Sequence, residues 1–221
     1  MPNASIATTA RRTSTLRTSK LLRNTYLLLA MTLAVSAVTA WWAMVSQARP
    51  LPWLLVMAVF IGGPFLINAL RHSAWSLPAT FVFTGFMGYV LGPVVGYYLH
   101  LPNGPLVVTT ALALTAGTFV GLSAYALVTR RDFSFMGGFL MAGLIVVLLA
   151  IVANIFLDIP ALSLTISAVS VLLMAGLILF DTSRMVHGGE DNYVMMTVSL
   201  YANIYVLFTH LLNLLGALEG D

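Results

Sequence analysis

Residues 193–216 have the sequence YVMMTVSLYANIYVLFTHLLNLLG, an apolar stretch long enough to cross a bilayer as one helix. A hydrocarbon core of about 30 Å requires about 20 helical residues. Polar residues recur along this stretch, and together with the residue before it they are Asn192, Ser199, Asn203, His210 and Asn213, separated by 7, 4, 7 and 3 positions. At about 100° per residue they fall within an arc of roughly 80°, so one face of the helix is polar along its length.

This polar face predicts where the last helix lies. Lipid offers an amide or an imidazole no hydrogen-bond partner, so the face must point into the protein or into a wet cavity. We therefore expect the last helix to be central and wrapped by its neighbours. Two roles for the face stay open at this stage, namely hydrogen bonding between helices for stability and a wet path or proton site.

Six further apolar runs precede this stretch, and each is also long enough to span a bilayer. They lie near residues 21–46, 51–70, 77–99, 105–128, 136–157 and 160–182. The chain is 60% hydrophobic and only 8% charged, which a water-soluble domain of 221 residues cannot carry on its surface. Because the runs are apolar on all faces, they favour helices over the alternating strands of a β-barrel. The sequence predicts an all-α membrane protein with seven transmembrane helices, the seventh surrounded by the other six.

Basic residues give this bundle a predicted orientation. The connections on one side hold nine Lys and Arg residues, and those on the other side hold only Arg49. The nine are Arg11, Arg12, Arg17, Lys20, Arg23, Arg71, Arg130, Arg131 and Arg184. Cytoplasmic loops of membrane proteins are enriched in such residues. We expect a cytoplasmic N-terminus and, after an odd number of spans, a C-terminus on the opposite side.

The N-terminal segment differs in composition from the rest. Residues 1–20 are rich in Ser, Thr and Arg and contain no apolar run, which predicts a flexible cytoplasmic tail ahead of a transmembrane domain at residues 21–221. The apolar stretch that follows is longer than the hydrophobic region of a secretory signal, so it should remain as the first span. An acid-free leader of this composition also fits mitochondrial targeting, which stays an alternative.

Asp181 is the acidic residue that the sequence places deep in a span. It lies in the sixth run, about 9 Å before the stop predicted at Gly188 and Gly189. An intramembrane carboxylate with a plausible partner is a functional-site hypothesis by default. Arg71, at the end of the second run, is the cation that we expect to pair with it. A plain interfacial salt bridge is the alternative.

Other motifs argue against catalysis. Asp181, Thr182 and Ser183 match the short signature of aspartic proteases, but that chemistry needs two carboxylates sharing a proton, and Asp158 lies at the opposite end of the fifth run. The HGGED sequence at residues 187–191 is typical of a solvated turn, and a metal site there would need converging ligands. The chain has no cysteine and no phosphate-binding loop. We predict no enzymatic activity, no metal site and no resident cofactor.

Small residues and prolines indicate how the helices pack. Gly88, Gly92 and Gly96 recur every four residues, as do Gly117 and Gly121 in the next run. Such spacing places small residues on one face, where helices can approach closely, either within the bundle, which we favour, or in a dimer. Prolines inside two runs, Pro64 and Pro93, predict kinks.

Several segments carry a family resemblance from about Leu21 to Gly216. They are LRNTYLLL from Leu22, FVFTGFMGYVLGP from Phe81, TRRDFSFMGGFLMAG from Thr129, VANIFLDIPALSLTISA from Val152 and LFDTSRMVHGGEDNYVMMTVSLY from Leu179. They resemble the Bax inhibitor-1 (TMBIM) family, in its proteobacterial YccA branch. The resemblance implies seven transmembrane helices in a bacterial inner membrane, with the last helix enclosed and no nucleic-acid partner.

The resemblance implies two activities. The YccA branch resembles a modulator of the membrane-anchored AAA protease FtsH, and a flexible tail of about 20 residues suits such a partner, because a processive protease needs an unstructured handle. Bacterial members of the family also carry a pH-sensitive calcium leak, with Ca²⁺ as the permeant ion. We take the modulator as the main expectation and the leak as the alternative.

The leak depends on an aspartate pair on the sixth and seventh helices and an arginine on the second. Asp181 matches the first aspartate and Arg71 the arginine, but Asn203 stands where the second aspartate belongs, so the carboxylate pair is incomplete. Counting residues from the loop places Asn203 about 18 Å deep and Asp181 about 9 Å deep. We therefore expect direct contact between them only if the helices tilt. Ser199, His210 and Asn213 complete the candidate ion-pathway residues.

Overall fold

The computed structural model describes residues 3–218 of the chain, with side chains described from Thr18 onward, and this part contains helices and no strand. The seven α-helices are α1 (Asn3–Val45), α2 (Trp53–Ala69), α3 (Ser76–Leu99), α4 (Gly104–Thr129), α5 (Gly137–Leu157), α6 (Pro160–His187) and α7 (Tyr193–Leu218). A 3₁₀ turn, Ser134–Met136, leads into α5. The predicted all-α class is confirmed, with one helix for each of the seven apolar runs.

Six of these helices are long and apolar enough to cross a membrane. In α1 the portion that qualifies is Thr18–Val45, and the other five are α3, α4, α5 with its 3₁₀ turn, α6 and α7. The remaining helix, α2, is equally apolar but has 17 residues, so it is about 25 Å long. A span of that length is short for an average hydrocarbon core of about 30 Å, although local thinning of the bilayer accommodates such helices.

Both chain ends lie partly outside the described residues. The backbone of α1 is helical from Asn3, but no side chain before Thr18 is described. The flexibility of the predicted tail, residues 1–20, therefore stays a prediction. The acidic residues Glu219 and Asp221 also lie outside the described part of the chain.

The helices end where the local sequence allows the chain to turn. Gly188 follows α6 with φ 73°, a left-handed conformation that glycine adopts without steric cost, and it confirms the stop predicted at this position. Asn192 caps the first turn of α7, because its Oδ1 accepts hydrogen bonds from the backbone N–H groups of Val194 (2.9 Å) and Met195 (3.2 Å). The α6–α7 connection is therefore a short, well-defined turn.

The last helix, α7, has many neighbours. It packs against α1, α2, α3, α4 and α6, whereas α5 packs against α6 and its own 3₁₀ turn. Tyr201, Leu207 and Leu212 in α7 are among the most deeply buried large side chains of the protein. Of the candidate spans, α7 has the largest buried share, at 50%.

Glycine packing agrees with the sequence on α3 but not on α4. A Cβ atom at Gly88 would collide with the Ser36 carbonyl oxygen, and one at Gly92 would lie 2.6 Å from the Ala40 carbonyl oxygen, so both glycines let α3 approach the α1 backbone. In contrast, a Cβ atom at Gly117 or Gly121 would meet nothing within 4 Å. Packing within the bundle, the favoured prediction for Gly117 and Gly121, is wrong because α4 packs through another face, which carries Val108, Ala111, Thr115, Ser123 and Ala126. The dimer face stays a prediction. Pro64 and Pro93 lie inside helices that continue past them, and the kinks stay predictions.

Candidate functional site

The Asp181 carboxylate lies at the interface between α6 and α7. Its residue is 3% exposed, and its Oδ2 accepts two hydrogen bonds from α7. One comes from the Ser199 hydroxyl at 2.5 Å and the other from the Asn203 side-chain Nδ2 at 2.9 Å. Ser199 and Asn203 are four residues apart and therefore stack on one face of α7. Three of the predicted site residues are thus brought into direct contact.

Asp181 and Asn203 are in direct contact, which the sequence predicts only for tilted helices. Measured from the helix ends, Asp181 lies about 9 Å inside α6 and Asn203 about 15 Å inside α7. Side chains in an α-helix lean towards its N-terminus, and α6 and α7 run in opposite directions. The Asp181 side chain therefore leans deeper and the Asn203 side chain leans back towards the loop, which closes the offset.

Arg184 supplies the cation next to Asp181. It lies three residues later on α6, and its Nη1 is 3.9 Å from Asp181 Oδ1. The guanidinium group is shared, because its Nη2 lies 3.8 Å from Glu190 Oε2 and 3.3 Å from the Gly189 carbonyl oxygen. The Arg184 side chain is 34% exposed. A long, shared and partly solvated ion pair of this kind holds a carboxylate only weakly.

Arg71 does not pair with Asp181, which corrects the prediction from the sequence. Helix α2 ends at Ala69, so Arg71 lies in the turn beyond it and its side chain is exposed. Its Nε donates to His72 Nε2 at 3.1 Å, and its carbonyl oxygen accepts a hydrogen bond from Asn192 Nδ2 at 3.0 Å. The turn lines a polar cavity of about 530 Å³ together with residues 188–193. Arg71 therefore belongs to the surface of the bundle.

The part of the polar face nearer the C-terminus of α7 forms a second, separate cluster. His210 Nδ1 lies 3.0 Å from the Ser167 hydroxyl of α6, and Ser167 is fully buried. Asn213 is half-buried one turn further along, and no hydrogen bond joins it to these residues in the described part of the chain. Leu207 on α7 and Ile178 on α6, both completely buried, pack in the apolar core that separates this cluster from Asp181.

The polar face of α7 therefore points into the protein, as predicted. Ser199, Asn203 and His210 all bond to side chains of α6. In this structure an apolar layer divides the stripe into two clusters.

Sequence reasoning missed a second polar seam on α7. Tyr201 Oη donates a hydrogen bond to the Thr84 carbonyl oxygen of α3 at 3.1 Å and lies 2.8 Å from the Ser36 hydroxyl of α1. One turn earlier, the Thr197 hydroxyl lies 3.2 Å from the Thr25 carbonyl oxygen of α1. The signal available was the i, i+4 spacing of Thr197 and Tyr201, which places two hydroxyls on one face.

The connections at one end of the bundle are tied together. His187 Nε2 lies 3.1 Å from the Arg130 carbonyl oxygen, and Ser183 Oγ donates to the Arg131 carbonyl oxygen at 3.1 Å. The backbone N–H of Phe133 donates to Ser183 Oγ at 3.0 Å. We call this end, which carries Arg71, Arg130, Arg131 and Arg184, the cationic end. The α4–α5 loop is thereby docked onto the end of α6.

One acid in this loop is held in its charged form. Asp132 Oδ1 accepts hydrogen bonds from the Ser134 hydroxyl at 2.5 Å and from the Ser134 backbone N–H at 2.9 Å. The hydrogen bond from the Ser134 hydroxyl does most to lower the pKa of Asp132 below its ordinary value, and the bond from the backbone N–H lowers it further. Among the described residues no three His, Asp or Glu side chains gather as a metal-binding group. The absence of a resident metal or cofactor stays an expectation.

Residues 18–220 match the family described as "Inhibitor of apoptosis-promoting Bax1". The chain is 48% identical over 210 residues to the protein named "Modulator of FtsH protease YccA" of Escherichia coli K12, covering 95% of each chain. The same identity and coverage hold for "Inner membrane protein YccA" of Escherichia coli O6:H1. An uncharacterized protein of Pseudomonas aeruginosa is 52% identical over 206 residues, covering 92% of this chain and 91% of the relative.

Proposed function

The chain belongs to the Bax inhibitor-1 family, and from that premise we propose that it modulates a membrane-anchored protease of the FtsH kind. The observation that carries this proposal is the similarity to the Escherichia coli modulator, which extends over nearly the whole of both chains. The two chains therefore share one domain architecture. The proposal includes association with the protease within the bilayer and slower degradation of other membrane proteins.

The proposal includes a topology. All seven helices cross a bacterial inner membrane, α7 is the central helix with five of the other six packed against it, and the cationic end faces the cytoplasm. The contacts between loops support this orientation, since they gather Arg71, Arg130 and Arg184 at one end of the bundle, whereas Arg49 follows α1 at the other. The N-terminus is then cytoplasmic and the C-terminus periplasmic. The name of the inner-membrane relative supports the choice of membrane.

The cytoplasmic surface suits a docking partner. Asn192 ties the α6–α7 turn to the α2–α3 turn through the Arg71 carbonyl, and His187 ties α6 to the α4–α5 loop through the Arg130 carbonyl. These contacts make one connected surface out of three separate loops. The N-terminal tail enters the bundle at the same end, so a protease seated there can reach both.

Reconstitution tests the modulator function. Protease and a membrane-protein substrate are placed in liposomes with the full chain, with residues 2–20 deleted, or with those residues replaced by a Gly/Ser-rich segment of equal length. We expect the full chain to co-purify with the protease and slow degradation, and the deletion to lose both effects. Restoration by the Gly/Ser segment would show that the tail acts as a flexible handle and not through its sequence. The proposal fails if the full chain neither associates nor slows degradation.

A calcium leak is the second candidate, and the buried Asp181 carboxylate favours it. A carboxylate inside a transmembrane bundle marks ion or proton pathways in many membrane proteins. Its partner on α7 is an amide, however, and Asn203 donates a hydrogen bond instead of sharing a proton. Within the cluster of Asp181, Ser199 and Asn203, only Asp181 can therefore respond to pH.

Calcium flux into liposomes tests the leak. Purified protein is reconstituted with a calcium dye inside the vesicles, and uptake is followed at acidic and neutral pH for the wild type and for Asp181→Asn. A leak of this kind requires flux above protein-free vesicles and a pH dependence that the variant changes. Equal flux in protein-free vesicles removes the second candidate and leaves the modulator proposal intact.

A further inference from the structure

A cavity of about 510 Å³ lies between α1 and α4 and reaches the central part of α7. We propose that it binds a single acyl chain of a membrane phospholipid. The backbones of α1 and α4 do not come together in the described part of the chain, and each packs against α7 instead. The rings of Tyr26 and Phe119, with centroids 6.1 Å apart, bridge the two helices at the end of the gap nearer the cationic end. The floor of this crevice is α7, its walls are α1 and α4, and Leu91 and Val95 of α3 also line it.

The lining selects an apolar occupant. No charged side chain lines the crevice. Of its polar groups, Ser36 and Tyr201 are hydrogen-bonded to each other, and the Thr115 hydroxyl donates to the Ala111 carbonyl oxygen at 2.7 Å, which leaves the Tyr205 hydroxyl and the Trp41 indole N–H. The walls therefore present mainly hydrocarbon and aromatic carbon. A water-filled crevice with this lining would be unfavourable, because bound water needs polar partners.

The shape of the crevice selects a thin occupant. Its α1 wall runs from Leu33 to Met44, a length of roughly 16 Å, so the volume of about 510 Å³ leaves the atom centres of an occupant a passage roughly 6 Å across, which corresponds to roughly 9 Å between the walls. An α-helix with its side chains is about 10–12 Å across and does not fit. A single hydrocarbon chain fits, since carbon atoms in contact are about 4 Å apart. Ala37, Ala40 and Ala116 give the crevice its depth.

The position of the crevice identifies the surrounding lipid as the source of the acyl chain. Trp41 on α1 and Val120 on α4 line its mouth and are both 61% exposed, and Leu112 is also exposed. The crevice is thus continuous with the apolar surface that faces lipid. It lies towards the end opposite the cationic end, because Met44 is near the end of α1 and Val108 near the start of α4. Phospholipid of that leaflet can insert a chain sideways until it touches Tyr205 and Phe208 of α7.

Photo-crosslinking tests this site. The protein is reconstituted in vesicles of phosphatidylethanolamine and phosphatidylglycerol that contain a phospholipid with a diazirine near the end of one acyl chain, and labelled peptides are identified by mass spectrometry. We expect labels on α7 around Tyr205 and on the crevice faces of α1 and α4. Ala116→Phe, which fills the crevice, should lower labelling of α7 by about tenfold. Ala113→Phe, on the exposed face of α4 outside the crevice, is the matched control and should leave it unchanged.

Several outcomes would overturn the site. Equal labelling of α7 in Ala116→Phe and in the wild type, or labels spread evenly over the exposed face of α4, would show that the crevice holds no bound chain. Labelling by a free fatty-acid probe but not by the phospholipid probe would reject phospholipid as the source. Ala37→Phe fills the opposite wall, so it provides the same test if Ala116→Phe does not fold.

Discussion

The two polar faces of α7 differ in the chemistry of their partners. On the face towards α1 and α3, Tyr201 and Thr197 bond to backbone carbonyl oxygens and to the Ser36 hydroxyl. On the face towards α6, Ser199 and Asn203 bond to the Asp181 carboxylate. The first face uses neutral groups on backbone that the helices already fix in place. The second uses an ionisable side chain.

One helix therefore carries polar groups that only stabilise packing and polar groups whose partner can respond to pH. Hydroxyl groups bonded to carbonyl oxygens do not change charge with pH, so the first face can only hold the helices together. The Asp181 carboxylate can gain or lose a proton, and its nearest cation is 3.9 Å away and shared with Glu190. A change of protonation there alters what both Ser199 and Asn203 can bond to. The face towards α6 is therefore where we expect function to lie.

Substitution of Asp181 gives the largest expected effect. Asp181→Asn keeps an oxygen that accepts from Ser199 and Asn203, whereas Asp181→Leu leaves both donors without an acceptor. Both variants are neutral at this position, so their difference isolates the hydrogen bonds. We expect the leucine variant to be less stable than the asparagine variant by about 2 kcal/mol, measured by equilibrium unfolding in mixed micelles. Equal stabilities would mean that the hydrogen bonds from Ser199 and Asn203 do not organise α7.

A second carboxylate would make the face towards α6 more responsive. Asn203→Asp places an acid 2.9 Å from Asp181 Oδ2, where two carboxylates cannot both be ionised at low cost and share one proton. The folded state of this variant then binds more protons than the unfolded state, so its stability rises as pH falls. We expect a change of at least about 1.4 kcal/mol between about pH 8 and 5, from unfolding curves at each pH. The wild type is the control. An equal pH dependence of stability in both proteins would show that the second carboxylate does not make this face more responsive to pH.

The face towards α1 and α3 should respond to its hydroxyl and not to pH. Tyr201→Phe removes the bonds to Ser36 and the Thr84 carbonyl, and we expect a loss of about 1 kcal/mol that is the same across neutral and mildly acidic pH. Tyr205→Phe is the matched control, because the Tyr205 hydroxyl makes no hydrogen bond among the described residues. Unfolding in the same micelles measures both. A loss that grows or shrinks with pH would show that the two faces are coupled.

The polar face towards α6 could be predicted because its residues contrast with everything around them. Asn203 and His210 stand out in an apolar run, and their spacing on a 3.6-residue helix fixes one direction. Tyr201, Thr197 and Ser36 do not stand out in this way, since hydroxyl residues are common in transmembrane helices and often bond within their own helix. Their partners are backbone carbonyl oxygens, which no sequence pattern marks.

Features that depend on side-chain direction or on helix facing could not be predicted. Residue counting gives Asn203 and Asp181 different depths and does not show that their side chains lean towards each other. The sequence predicts Arg71 as the ion partner from its position at a helix end, but a turn after α2 carries it to the surface, and Arg184 lies on the same helix as Asp181. Spacing alone also could not tell that Gly88 faces α1 while Gly117 faces outward.

The cation next to Asp181 gives the smallest expected effect on stability. Arg184→Gln removes an ion pair that is long, shared and partly exposed, and such pairs contribute about 0–1 kcal/mol. Arg71→Gln is the matched control and should leave the free energy of unfolding unchanged within error, since its guanidinium does not contact Asp181. The informative measurement is the salt dependence of stability in each variant, because only a charge interaction is screened by added salt. If Arg71→Gln alone changed it, the turn after α2 would carry the counter-charge, and the site would extend across three helices. If only Arg184→Gln does, the charge is balanced within α6, and the face towards α6 remains a property of two helices.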